Sequence, residues 1–193
     1  MKLRAMDITL SAMFAALMAI GANVTAFLVV GGVPITLTTF FCILAGLILG
    51  SRLGAIAMTV YMLIGLVGAP VFSKFSGGPA SLISPTFGFI LSYIIVAYVV
   101  GKIVETKSTK TSFIVAALIG MVINYVFGTN WMYFAYDFWA SAPEGFSYQL
   151  VWTWMIAPLP KDIILSVFAG VLAPRIYKVV NKNGSVLKRK SIA

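Results

Sequence analysis

The stretch ITLSAMFAALMAIGANVTAFLVVGGVPITLTTFFCILAGLILGS, residues 8–51, carries no formal charge from Asp7 to Arg52. One membrane-spanning helix needs roughly 20 apolar residues, so this run holds more than one crossing. Uncharged runs continue at 53–73, 75–101, 111–136, 145–160 and 163–174, each bounded by charge, glycine or proline. Together they predict six spans, at about 6–28, 35–50, 54–68, 86–103, 111–134 and 160–178. The second and third are short for a full crossing, and Pro34, Gly46, Gly50, Gly54, Gly65 and Gly68 punctuate them. Tilt, burial inside the bundle or a partly re-entrant path must make up the difference.

Composition agrees. The 193 residues are 61% hydrophobic and 10% charged, where a soluble domain carries about 25% charged residues. A mean hydropathy of +1.02 excludes an ordinary cytosolic globule and leaves an all-α integral membrane protein. There is no histidine and a single cysteine, Cys42, so a disulfide framework, the common zinc spacings and a Cys/His catalytic pair are all excluded. Met-Lys-Leu-Arg followed by an apolar run resembles a secretory signal, but the run to Val30 is longer than a signal core and five hydrophobic segments follow it. It reads as the first span. The whole chain, 1–193, reads as one transmembrane domain ending in a basic tail, 179–193.

Basic residues accumulate on the cytoplasmic side. With the N-terminus inside, the inner segments hold Lys2, Arg4, Arg52, Lys102, Lys107, Lys110, Arg175, Lys178, Lys182, Lys188, Arg189 and Lys190, leaving only Lys74 and Lys161 of the 14. Six spans with both termini cytoplasmic is the expected topology, in a prokaryotic plasma membrane. The net charge of +9 then reflects topology and attraction to anionic headgroups, and no nucleic-acid partner is expected.

No G-x-x-x-x-G-K-[ST] loop is present, so ATP-driven work needs a partner. Asp162 is the only acid well inside the last hydrophobic block, which argues against a proton-coupled carrier with a carboxylate relay. Paired aspartates or histidines for an intramembrane protease are also missing. No enzyme chemistry, metal or cofactor is expected. What remains is a binding and translocating module.

Polar candidates cluster toward the outer face. Residues 68–88, GAPVFSKFSGGPASLISPTFG, read as a structured loop whose glycines and prolines let backbone approach a ligand. The connection 135–159 is rich in aromatics, most of which an interfacial belt explains. The last span opens with Ala157-Pro158-Leu159-Pro160-Lys161-Asp162. Pro160 suits a first helical turn, where Lys161 and Asp162 lie beside unpaired backbone N–H groups that attract an anion. Asp162 is expected to accept hydrogen bonds from a ligand, although it could cap its own helix, and Lys161 could instead snorkel to the surface. In the first span Ala12 and Ala16 form a small-x-x-x-small face that lets another helix approach.

The runs VPITLTTFFCILAGLILGSRLGAIAMTVYMLIGLVGAPVF (33–72), GGPASLISPTFGF (77–89) and APLPKD (157–162) resemble the BioY family, and the likeness covers nearly the whole chain. Those proteins are the biotin-specific substrate-binding (S) components of energy-coupling-factor (ECF) transporters. The resemblance implies a six-transmembrane-helix S-component bundle with outer loops covering a ligand pocket. It also implies docking through Ala12 and Ala16 onto a transmembrane coupling subunit driven by two ATPase subunits, with the S component toppling in the membrane to release its vitamin. Substrate-binding candidates are Asp162, Lys161, Thr36, Thr38, Ser81, Thr86, Phe87 and Phe89. The chain departs from the family pattern at Thr38, where glutamine stands, at Phe87 and Phe89 within the loop motif G-P-T-G-G-Y, and at Leu165, where the last helix often has lysine. The ligand's carboxylate is then left to Lys161, Lys74 or backbone N–H groups. Biotin is the expected ligand, with dethiobiotin or lipoate as acidic alternatives. A stand-alone secondary permease and a scaffolding membrane protein are the readings from other classes.

Overall fold

The computed structural model describes residues 4–30 and 32–182. Lys2, Lys188, Arg189 and Lys190 lie outside them, as does the predicted tail from 183 onward. Residues 179–182 belong to the last helix rather than to a tail.

Helix α1 (Ala5–Asn23) leads into an antiparallel hairpin, β1 (Val29–Val30) with β2 (Val33–Pro34), in which Val30 faces Val33. Helix α2 (Thr38–Leu66) is followed by two 3₁₀ turns, Ser73–Phe75 and Pro79–Ile83. Then come α3 (Phe87–Thr106), α4 (Lys110–Phe138), α5 (Tyr148–Ile156) and α6 (Leu159–Lys182). Among the described residues, α1, α2, α3, α4 and α6 are long and apolar enough to cross a membrane. The first span is shorter than expected: helix ends at Asn23, because the chain turns there into the hairpin.

The two short spans expected at 35–50 and 54–68 fall within α2, and its backbone explains why. Gly50 has φ 82° and ψ 179°, which is not helical and suits only glycine. A Cβ on Gly54 would lie 3.1 Å from the Cα of Gly46. Along a straight helix those residues would be about 12 Å apart. The chain therefore doubles back at Gly50, and the arms 38–49 and 51–66 lie side by side through their glycines, the close approach that small residues permit in lipid. Every residue from Cys42 to Ser51 is buried. An arm apolar on all faces belongs at the centre of a bundle, which is how segments of about 18 and 24 Å are accommodated.

Helix α3 seats this turn. A Cβ on Gly101 would lie 2.1 Å from the backbone nitrogen of Ser51, and one on Gly46 would lie 2.7 Å from the carbonyl oxygen of Ala97. The Glu105 carboxylate accepts the Ser51 N–H at 2.7 Å and its hydroxyl at 2.9 Å. A carboxylate is well placed there, at the start of the second arm, where the helix dipole is positive.

The connection after α2 is ordered by its own contacts. Phe72 pairs with Ser76 and packs edge-on to Tyr61, the Phe75 N–H donates to Asn23 Oδ1 at 2.6 Å, and the Gly78 N–H donates to the Gly65 carbonyl at 2.7 Å. Between α4 and α6 the structure adds a helix, α5, where a loop was expected. Its cap is local: Ser147 Oγ accepts the Leu150 N–H, a standard helix start. The aromatics expected to form an interfacial belt largely pack on one another. Tyr133 stacks on Phe146 and meets Tyr148 edge-on, while Tyr136 meets Trp154.

Candidate functional site

At the end of the bundle that carries the hairpin and α5, a cavity of about 80 Å³ is walled by residues from the first loop and from every α-helix except α1. Thr36 and Pro34 come from the first loop, and Thr38 and Tyr61 from the two arms of α2. Thr86, Phe89 and Tyr93 come from the start of α3, Asn124 and Tyr125 from α4, Met155 from α5, and Lys161 and Asp162 from the first turn of α6. Thr38 and Tyr61 would be about 35 Å apart along a straight helix; the turn at Gly50 is what brings them to one wall.

Asp162 is the chemical centre. It is 4% exposed, and the Tyr125 hydroxyl donates to its Oδ2 at 2.7 Å. Its Oδ1 faces the Lys161 ammonium at 2.8 Å. The alternative in which Asp162 caps its own helix is not what the geometry shows, since the hydrogen bond it receives comes from α4. The Lys161 ammonium also donates to the Thr36 carbonyl, so it ties the first loop to α6 instead of reaching away to the surface. A carboxylate has about four acceptor sites and an ammonium three donors. After these contacts both still have capacity toward the cavity, Asp162 for N–H groups and Lys161 for an anion. Burying such charges is tolerable because they are paired.

A second polar set is joined to the first through Thr36. The Thr38 hydroxyl bridges Thr36 Oγ1 and the Tyr93 hydroxyl, each at 2.6 Å. Thr39 donates to Asn124 Oδ1 at 3.3 Å, and Asn124 Nδ2 donates to Ser92 Oγ at 2.6 Å. Between the two sets, Val33, Ile90, Phe89 and Met155 supply an apolar surface. This suits a ligand with an apolar body, N–H donors and an acidic group.

Of the residues expected from the sequence, Thr36, Thr38, Thr86, Phe89, Lys161 and Asp162 converge on this cavity. Ser81 and Phe87 are not among its lining residues. Ser81 lies in a 3₁₀ turn, and Phe87 is buried against Trp131. Lys74 is exposed in the loop after α2, away from the lining. Leu165 is likewise absent from the lining. Tyr61, Tyr93, Asn124 and Tyr125 were not anticipated. Asn124, inside an apolar run, was the one visible signal; a tyrosine in a membrane helix reads equally as packing or as an interfacial anchor. Ala12 and Ala16 lie on the exposed face of α1, whose other face, with Phe14, Ala15 and Met18, is buried.

Fold and site define an all-helical membrane protein with a small polar pocket at one end of its bundle. Residues 1–182 match the model of the BioY family, and the chain belongs to that family. It is 47% identical to BioYB of Bacillus subtilis strain 168, over 94% of this chain and 92% of that protein. To the biotin transporter BioY of Thermotoga maritima it is 32% identical over 86% and 92%. Its fold matches the crystal structure of the S-component for biotin from an ECF-type ABC transporter, with a TM-score of 0.74 at 24% identity, over 90% of this chain and 91% of that one.

Proposed function

We propose that this chain is the biotin-binding subunit of an ATP-dependent ECF importer, a membrane component with no catalytic step of its own. The observation that carries the reading is the buried Asp162, held by Tyr125 and ion-paired with Lys161 on the wall of a pocket in a chain of this family. Biotin offers two ureido N–H donors, an apolar bicycle and chain, and a carboxylate. Asp162 accepts from the ureido ring, with Thr36, Thr38 and Thr86 as hydroxyl partners. Phe89 lies against the apolar body, Lys161 donates to the ureido end beside Asp162, and the carboxylate at the far end of the chain falls to backbone N–H groups. Ser81 and Phe87, outside the lining, support this wall from behind.

The cavity is smaller than the roughly 300–1,000 Å³ usual for small-molecule sites, so binding requires the wall to yield. The first loop is the segment able to do so. It is held by the Lys161 contact to Thr36, by Thr25 Oγ1 donating to the Ile35 carbonyl at 2.7 Å and by the Leu37 N–H donating to Gly21.

Six crossings follow if the two arms of α2 count as two, a reading that the turn at Gly50 supports. Both termini are then cytoplasmic and the pocket faces outward, with the chain forming one domain of a multi-pass protein in the prokaryotic plasma membrane. The exposed Ala12–Ala16 face is the docking surface for the transmembrane coupling subunit, which two ATPase subunits drive. Isothermal titration of the purified chain with biotin and with lipoate tests the ligand. Tight binding of biotin alone supports the proposal; heat from lipoate alone transfers the site to that ligand, and no heat from either overturns both.

A further inference from the structure

The opposite end of the bundle carries a groove that the vitamin site does not use. It lies between the start of α4 and the end of α6 and is lined by Lys110, Ile114, Val171, Pro174, Arg175 and Lys178, with Gly170 at its base. A Cβ on Gly170 would lie 2.7 Å from the Cα of Ile114, so the glycine lets the two helices touch at that point. Beside it, Phe113 packs edge-on to Tyr177 at 5.4 Å. The groove is therefore a fixed feature of the α4–α6 contact.

Its chemistry is two-part. Ile114, Val171 and Pro174 make an apolar floor, and Val171 is 53% exposed. Lys110, Arg175 and Lys178 rim it, and no described acid pairs with them. The acids nearest this end are engaged elsewhere, Glu105 with Ser51 and Asp7 with the Arg4 N–H. Lys110 is also the first residue of α4, where the helix dipole adds positive potential.

Depth identifies the occupant. Arg175 and Lys178 follow Asp162 by 13 and 16 residues on one helix, about 20 and 24 Å along its axis. With Asp162 near one face of a hydrocarbon layer about 30 Å thick, Arg175 and Lys178 lie about 6–10 Å short of the opposite face, a gap that their long side chains span to reach the headgroups. Positive-inside topology alone would scatter such cations. Here two helices bring three of them to the mouth of one apolar groove.

We propose that this groove binds one anionic phospholipid, its phosphate among Lys110, Arg175 and Lys178 and an acyl chain along Ile114, Val171 and Pro174. A free phosphate would have no use for the floor, and a zwitterionic lipid would leave the rim uncompensated. The assignment is independent of what the outer pocket binds.

The test is native mass spectrometry of the full chain released from nanodiscs of equal phosphatidylglycerol and phosphatidylcholine. The expected result is retention of one phosphatidylglycerol in preference to phosphatidylcholine, and a loss of that retention of about 10- to 100-fold in K110Q/R175Q/K178Q. The charge-preserving K110R/R175K/K178R should retain the lipid, which separates loss of charge from loss of fold. Equal retention of the two lipids by the unaltered chain, or undiminished retention by the glutamine variant, would overturn the proposal. So would retention that inorganic phosphate abolishes as readily as competing lipid does. A glutamine variant that keeps its lipid but no longer assembles with partner subunits would assign the patch to a protein contact instead.

Discussion

Asp162 and Tyr125 act as a pair. The phenol holds Oδ2 and thereby turns Oδ1 toward Lys161 and the cavity. Asp162→Asn keeps the shape but removes the charge and one acceptor, and it should weaken biotin binding at least about tenfold, or 1.4 kcal/mol; titration calorimetry reads this directly, and unchanged affinity would move the pocket elsewhere. Tyr125→Phe leaves the carboxylate charged and removes only the hydrogen bond that orients it, so biotin affinity should fall less than in Asp162→Asn, measured the same way. Asp162 was legible in the sequence because charge is so rare in this chain. Its partner was not, because nothing in a tyrosine's sequence position tells whether its hydroxyl meets a carboxylate 37 residues away. At Thr38 the hydroxyl joins Thr36 to Tyr93 within the wall.

At the scale of elements, the hairpin in α2 depends on glycines that leave no room for a side chain. Gly101→Ala would press a methyl group into the Ser51 backbone, which cannot yield as a side chain could. Overpacking of this kind typically costs about 1–3 kcal/mol, and the loss should appear as a lowered melting temperature of the detergent-solubilised chain, together with weaker ligand binding as Thr38 and Tyr61 lose their common wall. The first loop behaves differently, being tied down by a few hydrogen bonds and one ammonium rather than by packing. Hydrogen exchange across 24–37 should slow when biotin is added, while the buried arm 42–49 stays unchanged; no change in the loop would show that ligand enters by another route. The punctuation of 34–68 by Pro34 and five glycines was visible at once, but not that a single glycine makes the turn. Helix α5 was hidden because its nine residues are too few for a convincing period amid so many aromatics.

The whole molecule has two unlike ends: a pocket and its loops at one, a groove rimmed by Lys110, Arg175 and Lys178 at the other, and an exposed alanine face on α1 between them. If that face docks the coupling subunit, replacing Ala12 and Ala16 by Trp should abolish vitamin uptake in cells while leaving the affinity of the purified chain intact. Normal uptake by the double variant would exclude this face. Vesicles holding only this chain should take up no biotin along an ion gradient; uptake there would favour a secondary permease.

The sequence by itself determined the membrane class and the positions of most spans, because hydrocarbon excludes charge and that exclusion is written residue by residue. It also singled out Asp162, Lys161, Thr36, Thr38, Thr86 and Phe89. Only the tertiary structure decided which tyrosines meet that aspartate, that α2 folds on Gly50, and that Ser81, Phe87 and Lys74 stand off the wall. These depend on contacts between residues far apart in the chain, set by how closely glycine and alanine let helices approach, and periodicity within one segment carries no record of them.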